Sequence, residues 1–287
     1  MKYCNQHEIP VTPSGARTGL SGGALPIKGG VLLSMERFHS ILDIDEKNHQ
    51  VTTEPGVITQ VLQEAVREKG LFYPPDPASK GSCFIGGNVA ENSGGPKAVK
   101  YGVTLDYVLN LEVVLPNGEV IWTGANVLKN ATGYNLTQLI VGSEGTLAVV
   151  TKIVLKLIPH PTHDALLLVP FFSAEQACEA VAAIFRAGIT PSGLEFMERD
   201  ALVWAQEFTQ DFTIKVEDNH EAHLLIEVDG NDAAVIMQEC ESIVAVLEEF
   251  ETDEVLFADS TAQKDGLWSL RRKVSEAVKA QSVYKEE

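Results

Sequence analysis

Ser14-Gly15-Ala16-Arg17-Thr18-Gly19-Leu20-Ser21-Gly22-Gly23 packs four glycines, two serines, a threonine and an arginine into ten residues, directly after the apolar Ile9-Pro10-Val11. Glycines let successive backbone N–H groups converge without Cβ clashes, which makes an anion-binding nest. The hydroxyls and Arg17 add donors suited to a pyrophosphate. The same composition also fits an ordinary glycine-rich turn. The run is neither GxGxxG between a strand and a helix nor GxxxxGKS/T, which weighs against the two parallel-sheet nucleotide folds that carry those motifs.

Two further segments extend the pattern. Pro74-Pro75-Asp76-Pro77 is followed by Gly86-Gly87-Asn88-Val89-Ala90-Glu91-Asn92-Ser93-Gly94-Gly95. Backbone amides and Asn side chains there could satisfy the carbonyls and nitrogens of a flat heterocycle; a capped helix start at Gly94-Gly95 is the other reading. Thr132-Gly133-Tyr134-Asn135-Leu136, then Gly142-Ser143-Glu144-Gly145-Thr146-Leu147 running into a strand, is on its own equally a tight turn.

Around these loops lies a chain of 287 residues, 45% hydrophobic and 22% charged, with a formal net charge of −18. That length predicts two lobes, and the apolar content excludes general disorder. No stretch approaches the ~20 apolar residues of a membrane span, and the opening MKYCNQHEIP does not read as a signal peptide. The acidic balance argues against nucleic acid as a partner. Cys4, Cys83, Cys178 and Cys240 lack metal or redox spacing, so reduced cytosolic thiols are expected. Charge and glycine are segregated: 19 of the 23 glycines lie at or before Gly145, whereas residues 195–259 carry 19 acidic and only 2 basic side chains. The proline-flanked Ile158-Pro159-His160-Pro161-Thr162 is the expected exit from the first lobe.

In the first lobe, residues 30–35 and 50–54 read as strands around a turn at Glu46-Lys47-Asn48, 57–69 as a helix ended by Gly70, and 109–122 as a hairpin about Asn117-Gly118. Residues 147–157 read as a strand. In the second lobe, strands are expected at 165–171, 193–197, 223–228 and 255–258. Helices are expected at 173–187, capped by Ser173 with Gln176 three on, at 200–208 and at 232–249. This βαβ(α)βαβ order predicts a ferredoxin-like antiparallel sheet with helices on one face. A last amphipathic helix is expected over about 260–280.

Taken in order, residues 14–24, 75–102 and 132–151 resemble the vanillyl-alcohol oxidase / p-cresol methylhydroxylase flavoproteins. The branch most resembled is that of glycolate oxidase D-type subunits, D-lactate dehydrogenases and D-2-hydroxyglutarate dehydrogenases. The resemblance implies an α+β fold: a p-cresol methylhydroxylase-type FAD-binding domain over 1–158, then a ferredoxin-like cap, or substrate, domain over 159–287. It implies FAD. Ser14, Gly15, Ala16, Arg17, Thr18, Gly19, Leu20, Ser21, Gly22 and Gly23 would hold the pyrophosphate. Pro75, Asp76, Ser79, Gly86, Gly87, Asn88 and Asn92 would line the isoalloxazine, and Glu144, Gly145, Leu147 and Val150 the adenosine half. Some relatives tether FAD through a His in the first loop; none occurs there in this chain, so non-covalent FAD is expected. The chain departs from the pattern at Ser14, where Arg is common, and at Arg17 and Ala148, where Gly is common.

Residues 267–277 resemble the branch's substrate helix, whose first Arg pairs with the substrate carboxylate. Arg271 is that residue here, with Ser275 one turn along and Lys285 in a second acid-contacting segment. A planar guanidinium can give a carboxylate two parallel hydrogen bonds. Without the resemblance, Arg271-Arg272-Lys273 reads as a solvated helix face. The resemblance implies FAD-dependent oxidation of a small D-2-hydroxy acid by hydride transfer to flavin N5, with electrons passed to another carrier such as a quinone or an iron–sulfur subunit. It also implies a further βαβ portion before Met1, and divalent-metal ligands and a base beyond Glu287, so no catalytic or metal-ligating residue is assigned in this chain. The His160/His163 and His220/His223 pairs read as chance spacings at loop or strand edges, because a ligand set needs a third partner. The alternative is a non-catalytic FAD-binding or scaffold subunit, or an inactive fragment. The expected location is cytoplasmic or peripheral to the membrane.

Overall fold

Short β-branched runs separated by glycine loops build the first unit, Met1–His160, and longer apolar runs alternating with helices build the second, Pro161–Glu287. The computed structural model describes residues 1–258 and 260–282.

In the first unit, α1 (Lys2–Gln6) leads into β1 (Val11–Ser14), which pairs in parallel with β2 (Val31–Ser34). Then β3 (Ile41–Asp45) and β4 (Gln50–Thr53) form an antiparallel hairpin. Asp45 closes its turn by accepting from the amides of Lys47 and Asn48 at 3.1 and 3.0 Å. The helix α2 (Thr59–Arg67) is followed by β5 (Leu71–Phe72), α3 (Ile85–Glu91) and α4 (Ala98–Tyr101). A hairpin joins β6 (Val108–Val114) to β7 (Val120–Trp122). Gly118 takes the positive φ of +82° that its turn needs. The unit ends with α5 (Leu136–Ile140), β8 (Val149–Lys156) and β9 (Ile158–Pro159), the last paired with β5. Five strands form one antiparallel sheet in the order β3-β4-β8-β6-β7. Its core sets Val51, Leu111, Ile153 and Leu155 of the strands with Leu62 and Val66 of α2 and Ile85 and Val89 of α3, and so fixes α3 for the site below.

One expectation fails here. The turn at Glu46–Asn48 joins β4 to β3, not to 30–35, which pairs with β1 instead. The segment 41–45 was hidden because its two Asp depress strand propensity, and β1 because it contains Pro13.

The second unit runs β10 (His163–Phe171), α6 (Ala174–Arg186), β11 (Gly193–Glu198), α7 (Arg199–Thr209), β12 (Ala222–Gly230), α8 (Ala233–Leu247), β13 (Leu256–Ala258) and α9 (Thr261–Gln281). Ser173 caps α6 by accepting from the Gln176 amide, and Ser260 with Gln263 forms a capping box on α9. The strand order β11-β12-β10-β13, antiparallel throughout, is ferredoxin-like.

The one-face expectation is corrected, because helices cover both faces of this sheet. Ala165, Leu167, Val169 and Phe171 pack against α6 and α8, while Leu166, Leu168, Leu225 and Met197 pack against α7 and α9. The signal was present. Residues 165–171 are apolar without alternation and are all buried, as strands covered on both sides are. Among the described residues, no helix is long and apolar enough to cross a membrane.

Candidate functional site

The first loop leaves β1 at Ser14, which is buried, and the Met35 amide ties that strand end by donating to the Ser14 carbonyl at 2.9 Å. Beyond it, none of the backbone amides of residues 15–24 donates a hydrogen bond within the described chain. Main-chain donors normally find a partner in the fold or in water, so ten successive amides without a partner in the chain are left for water or a ligand. Arg17 stands in this loop at φ +58°, a left-handed conformation that favours glycine. The shape of the backbone thus accounts for the glycine common there in the family pattern.

The second segment enters through α3. Its first amides are anchored on the chain behind: Ile85 N–H donates to the Val57 carbonyl at 2.9 Å and Gly86 N–H to the Pro55 carbonyl at 2.7 Å. The paired glycines serve different ends. A Cβ on Gly86 would lie 2.4 Å from Pro55 Cβ, so this glycine lets the helix pack closely. A Cβ on Gly87 would meet nothing within 4 Å and would project into open space. Asn88 is buried, and its Nδ2 donates to Thr59 Oγ1 at 2.6 Å. That hydroxyl in turn lies 3.2 Å from Cys83 Sγ. The Asn88 Oδ1 has no hydrogen bond among the described residues.

The third segment is hung on the end of α3. The amides of Gly142 and Glu144 donate to the carbonyls of Val89 and Ala90 at 2.9 and 3.0 Å. Ser21 Oγ donates to Glu91 Oε1 at 3.1 Å, and the Cβ position of Gly23 lies 3.2 Å from Glu144 Oε2, so the first loop touches both others.

Together the three enclose a cavity of about 660 Å³. Residues 14–23 all line it, as do Ser79, Gly86, Gly87, Asn88, Glu144, Gly145 and Val150. Pro75, Asp76, Asn92 and Leu147 are not brought to its wall. The Pro75 carbonyl accepts from Gln63 Nε2 at 2.9 Å, and the Asp76 carboxylate accepts the Lys97 amide at 3.2 Å. Asn92 ends α3 at φ +51°, with its Oδ1 taking the Leu105 amide at 2.8 Å, and Leu147 is exposed. Three of these four therefore shape the loops from behind. Glu91, Phe84 and Met35 line the cavity without having been assigned from the sequence. Only Glu91 carried a signal, since it sits within the second glycine segment. Arg17 is the one cationic side chain on the wall among the described residues, and it lies 3.6 Å from Glu36, both well exposed; Glu91 and Glu144 are acidic. A bound anion would therefore meet main-chain dipoles far more than side-chain charge.

In the second unit, α9 carries Arg271 against the sheet. Its Nε donates to Glu195 Oε2 at 2.6 Å, and its Nη2 contacts the same oxygen. Glu195 lies on β11 beside Met197's face, 76 positions from Arg271, and sequence reasoning did not find it. Ser275 lies one turn along α9. Lys285 lies outside the described residues.

His220 and His223 belong to the core of this unit. His220 pairs with Asp253 at 3.0 Å, and its ring centroid is 5.2 Å from that of His223. His223 is fully buried within β12, with no hydrogen bond to either ring nitrogen among the described residues. Burial, reinforced by His220, pushes its pKa down to about 4.

Residues 1–124 match the family model described as FAD binding domain, and residues 160–286 that of FAD linked oxidases, C-terminal domain. The chain is 41% identical over 290 residues to a D-lactate dehydrogenase of Anaerostipes hadrus, covering 100% of this chain and 61% of that protein. It is 42% identical over 279 residues to the glycolate oxidase subunit GlcD of Bacillus subtilis, covering 95% of this chain and 59% of that one. It thus spans 59% to 61% of the length of these curated relatives. Among solved structures, p-cresol methylhydroxylase with substrate bound superposes with a TM-score of 0.75 at 19% identity, over 95% of this chain and 58% of that one, a likeness of fold.

Proposed function

The chain belongs to the FAD-linked oxidases, and from that premise we propose that it holds FAD without a covalent link and serves the oxidation of a small D-2-hydroxy acid, such as glycolate or D-lactate, to the 2-oxo acid. The observation that carries this reading is the run of ten unclaimed amides on the wall of the cavity. Those amides, in residues 15–24, suit a diphosphate that the acidic side chains nearby would otherwise repel. Gly87 leaves room for a flat ring system to approach the backbone, and Asn88 Oδ1 offers it an acceptor. Glu144, Gly145 and Val150 would border the adenosine half.

When bound, FAD supplies the acceptor for the two electrons that leave the substrate. The protein's part is to bind and orient. Arg271 grips the carboxylate, with Ser275 beside it on the same helix face. A quinone or an iron–sulfur subunit would take the electrons onward, on a protein that is cytoplasmic or held at the membrane periphery.

The test is to purify the chain, record its visible flavin absorbance, and add D-lactate, glycolate and D-2-hydroxyglutarate separately without oxygen. Bleaching by one of them is the expected result. A flavin that is retained but never bleached would favour a scaffold subunit or an inactive fragment of such an enzyme instead. Arg271→Lys should weaken acid binding and leave flavin content unchanged.

A further inference from the structure

Helix α9 crosses the second unit's sheet on a diagonal; besides its apolar packing through Leu267 and Leu270, Lys264, Trp268 and Arg271 reach the sheet from one side of the helix. Lys264 Nζ lies 2.9 Å from Asp164 Oδ2 on β10. Trp268 covers Gly193 of β11, where a Cβ would sit 3.2 Å from the indole. Arg271 meets Glu195, two residues further along β11. Strand alternation puts Gly193, Glu195 and Met197 on one face, and the register places Glu227 of β12 opposite Gly193 on that face.

The Arg271–Glu195 pair is side-on. One carboxylate oxygen takes Nε and Nη2, and Arg271 makes no other side-chain hydrogen bond or ion pair among the described residues. A guanidinium presents five N–H donors in a rigid planar fork. With the Nε edge taken, the donors left are those of the end, Nη1 with the outer N–H of Nη2, which are parallel and matched to a carboxylate. The Arg271 side chain keeps 28% of its exposure and that of Glu195 only 16%, so the arginine is the more open partner.

We propose that Glu195 is a positioning and specificity-determining residue: it presents Arg271 end-on to a substrate carboxylate and restricts the site to acids carrying one carboxylate. The proposal rests on the reading of Arg271 as the carboxylate ligand. A monocarboxylate uses the remaining edge of Arg271. A second carboxylate on the same molecule finds the charge of Glu195 already beside that arginine. Lys273, also on α9, is paired with Glu276 at 2.9 Å. Arg272 lies about 100° around the helix from Arg271. A like charge about 7–8 Å away costs roughly two- to thirtyfold in affinity, depending on how much water screens it.

The test uses the oxidised flavoprotein and two five-carbon 2-oxo acids that differ by one carboxylate, 2-oxovalerate and 2-oxoglutarate, titrated by calorimetry so that no turnover intervenes. The wild type should prefer 2-oxovalerate. Glu195→Gln keeps an acceptor for Nε and removes the charge, so it should reduce that preference by threefold or more with an unchanged unfolding midpoint. Glu195→Ala also removes the orienting acceptor and should weaken both acids. If Arg271→Lys weakens both acids while Glu195→Gln leaves the preference as it was, the role of Glu195 is overturned and Arg271 stands. If Arg271→Lys leaves both affinities unchanged, or the wild type binds neither acid, the reading of Arg271 fails and this proposal fails with it.

Discussion

On the proposed reading, the two units would meet an anion in opposite ways. The first builds its cavity from backbone: unclaimed amides, glycines and hydroxyls, with one exposed arginine. The second offers a side chain, Arg271, fixed by a carboxylate on a neighbouring strand. Backbone donors need no counter-charge, and they leave a dense glycine signature in the sequence. A side-chain pair needs its partner buried with it, and leaves two isolated letters 76 positions apart. The same contrast extends to titration, since the second unit also buries an imidazole, His223, that has no hydrogen-bond partner among the described residues.

The largest expected effect breaks the symmetry between the units through pH. The folded-state pKa of His223 is lowered to about 4 from an ordinary 6.5, so the unfolded chain takes up the proton first. Stability is therefore full above about pH 6.5 and is lost as pH falls from there towards 4. The depression corresponds to roughly 3 kcal/mol. Denaturant unfolding followed at Trp204 and Trp268 should show that loss in the wild type and not in His223→Leu. A wild type as stable at pH 4 as at pH 7 would show that the imidazole is not held neutral.

A smaller pair of effects sharpens the contrast within the first unit. Gly86→Ala drives a methyl into Pro55 and should cost about 1–3 kcal/mol, as overpacking does. Gly87→Ala meets open space in a helix and should stabilise the apoprotein by about 0.5–1 kcal/mol. It should at the same time weaken FAD binding, because its methyl enters the cavity. Thermal unfolding and a flavin titration of both variants would decide it; effects of the same sign on stability would remove the distinction between the two glycines.

Local chemistry was legible in the sequence. The Asn117-Gly118 hairpin and the Ser173 cap of α6 depend on residues within four positions of each other, and the structure places them as expected, as it does the last helix, whose Ser260–Gln263 capping box was not read from the sequence. The strand order of the second unit followed from element order. What was not legible depends on distant partners or on broken rules. β1 carries a proline, α3 begins Ile85-Gly86-Gly87 against helix propensity, and the two-sided covering of β10 was encoded in unbroken hydrophobicity that a period-two search passes over. In the site, the glycine loops announced themselves. The division between Gly86 and Gly87 did not, because it depends on where Pro55 lies. Glu195 was one acid among nineteen in its region, and only register places it under Arg271.

The central claim is that main-chain amides, not side-chain charge, hold the diphosphate of FAD. The direct measurement is the dissociation constant of FAD for Arg17→Gln beside the wild type, by flavin fluorescence at two salt concentrations. An exposed ion pair contributes about 0–1 kcal/mol, so the affinity should fall by no more than about fivefold and change little with salt. A loss of a hundredfold or more would place the diphosphate on Arg17 and contradict the account.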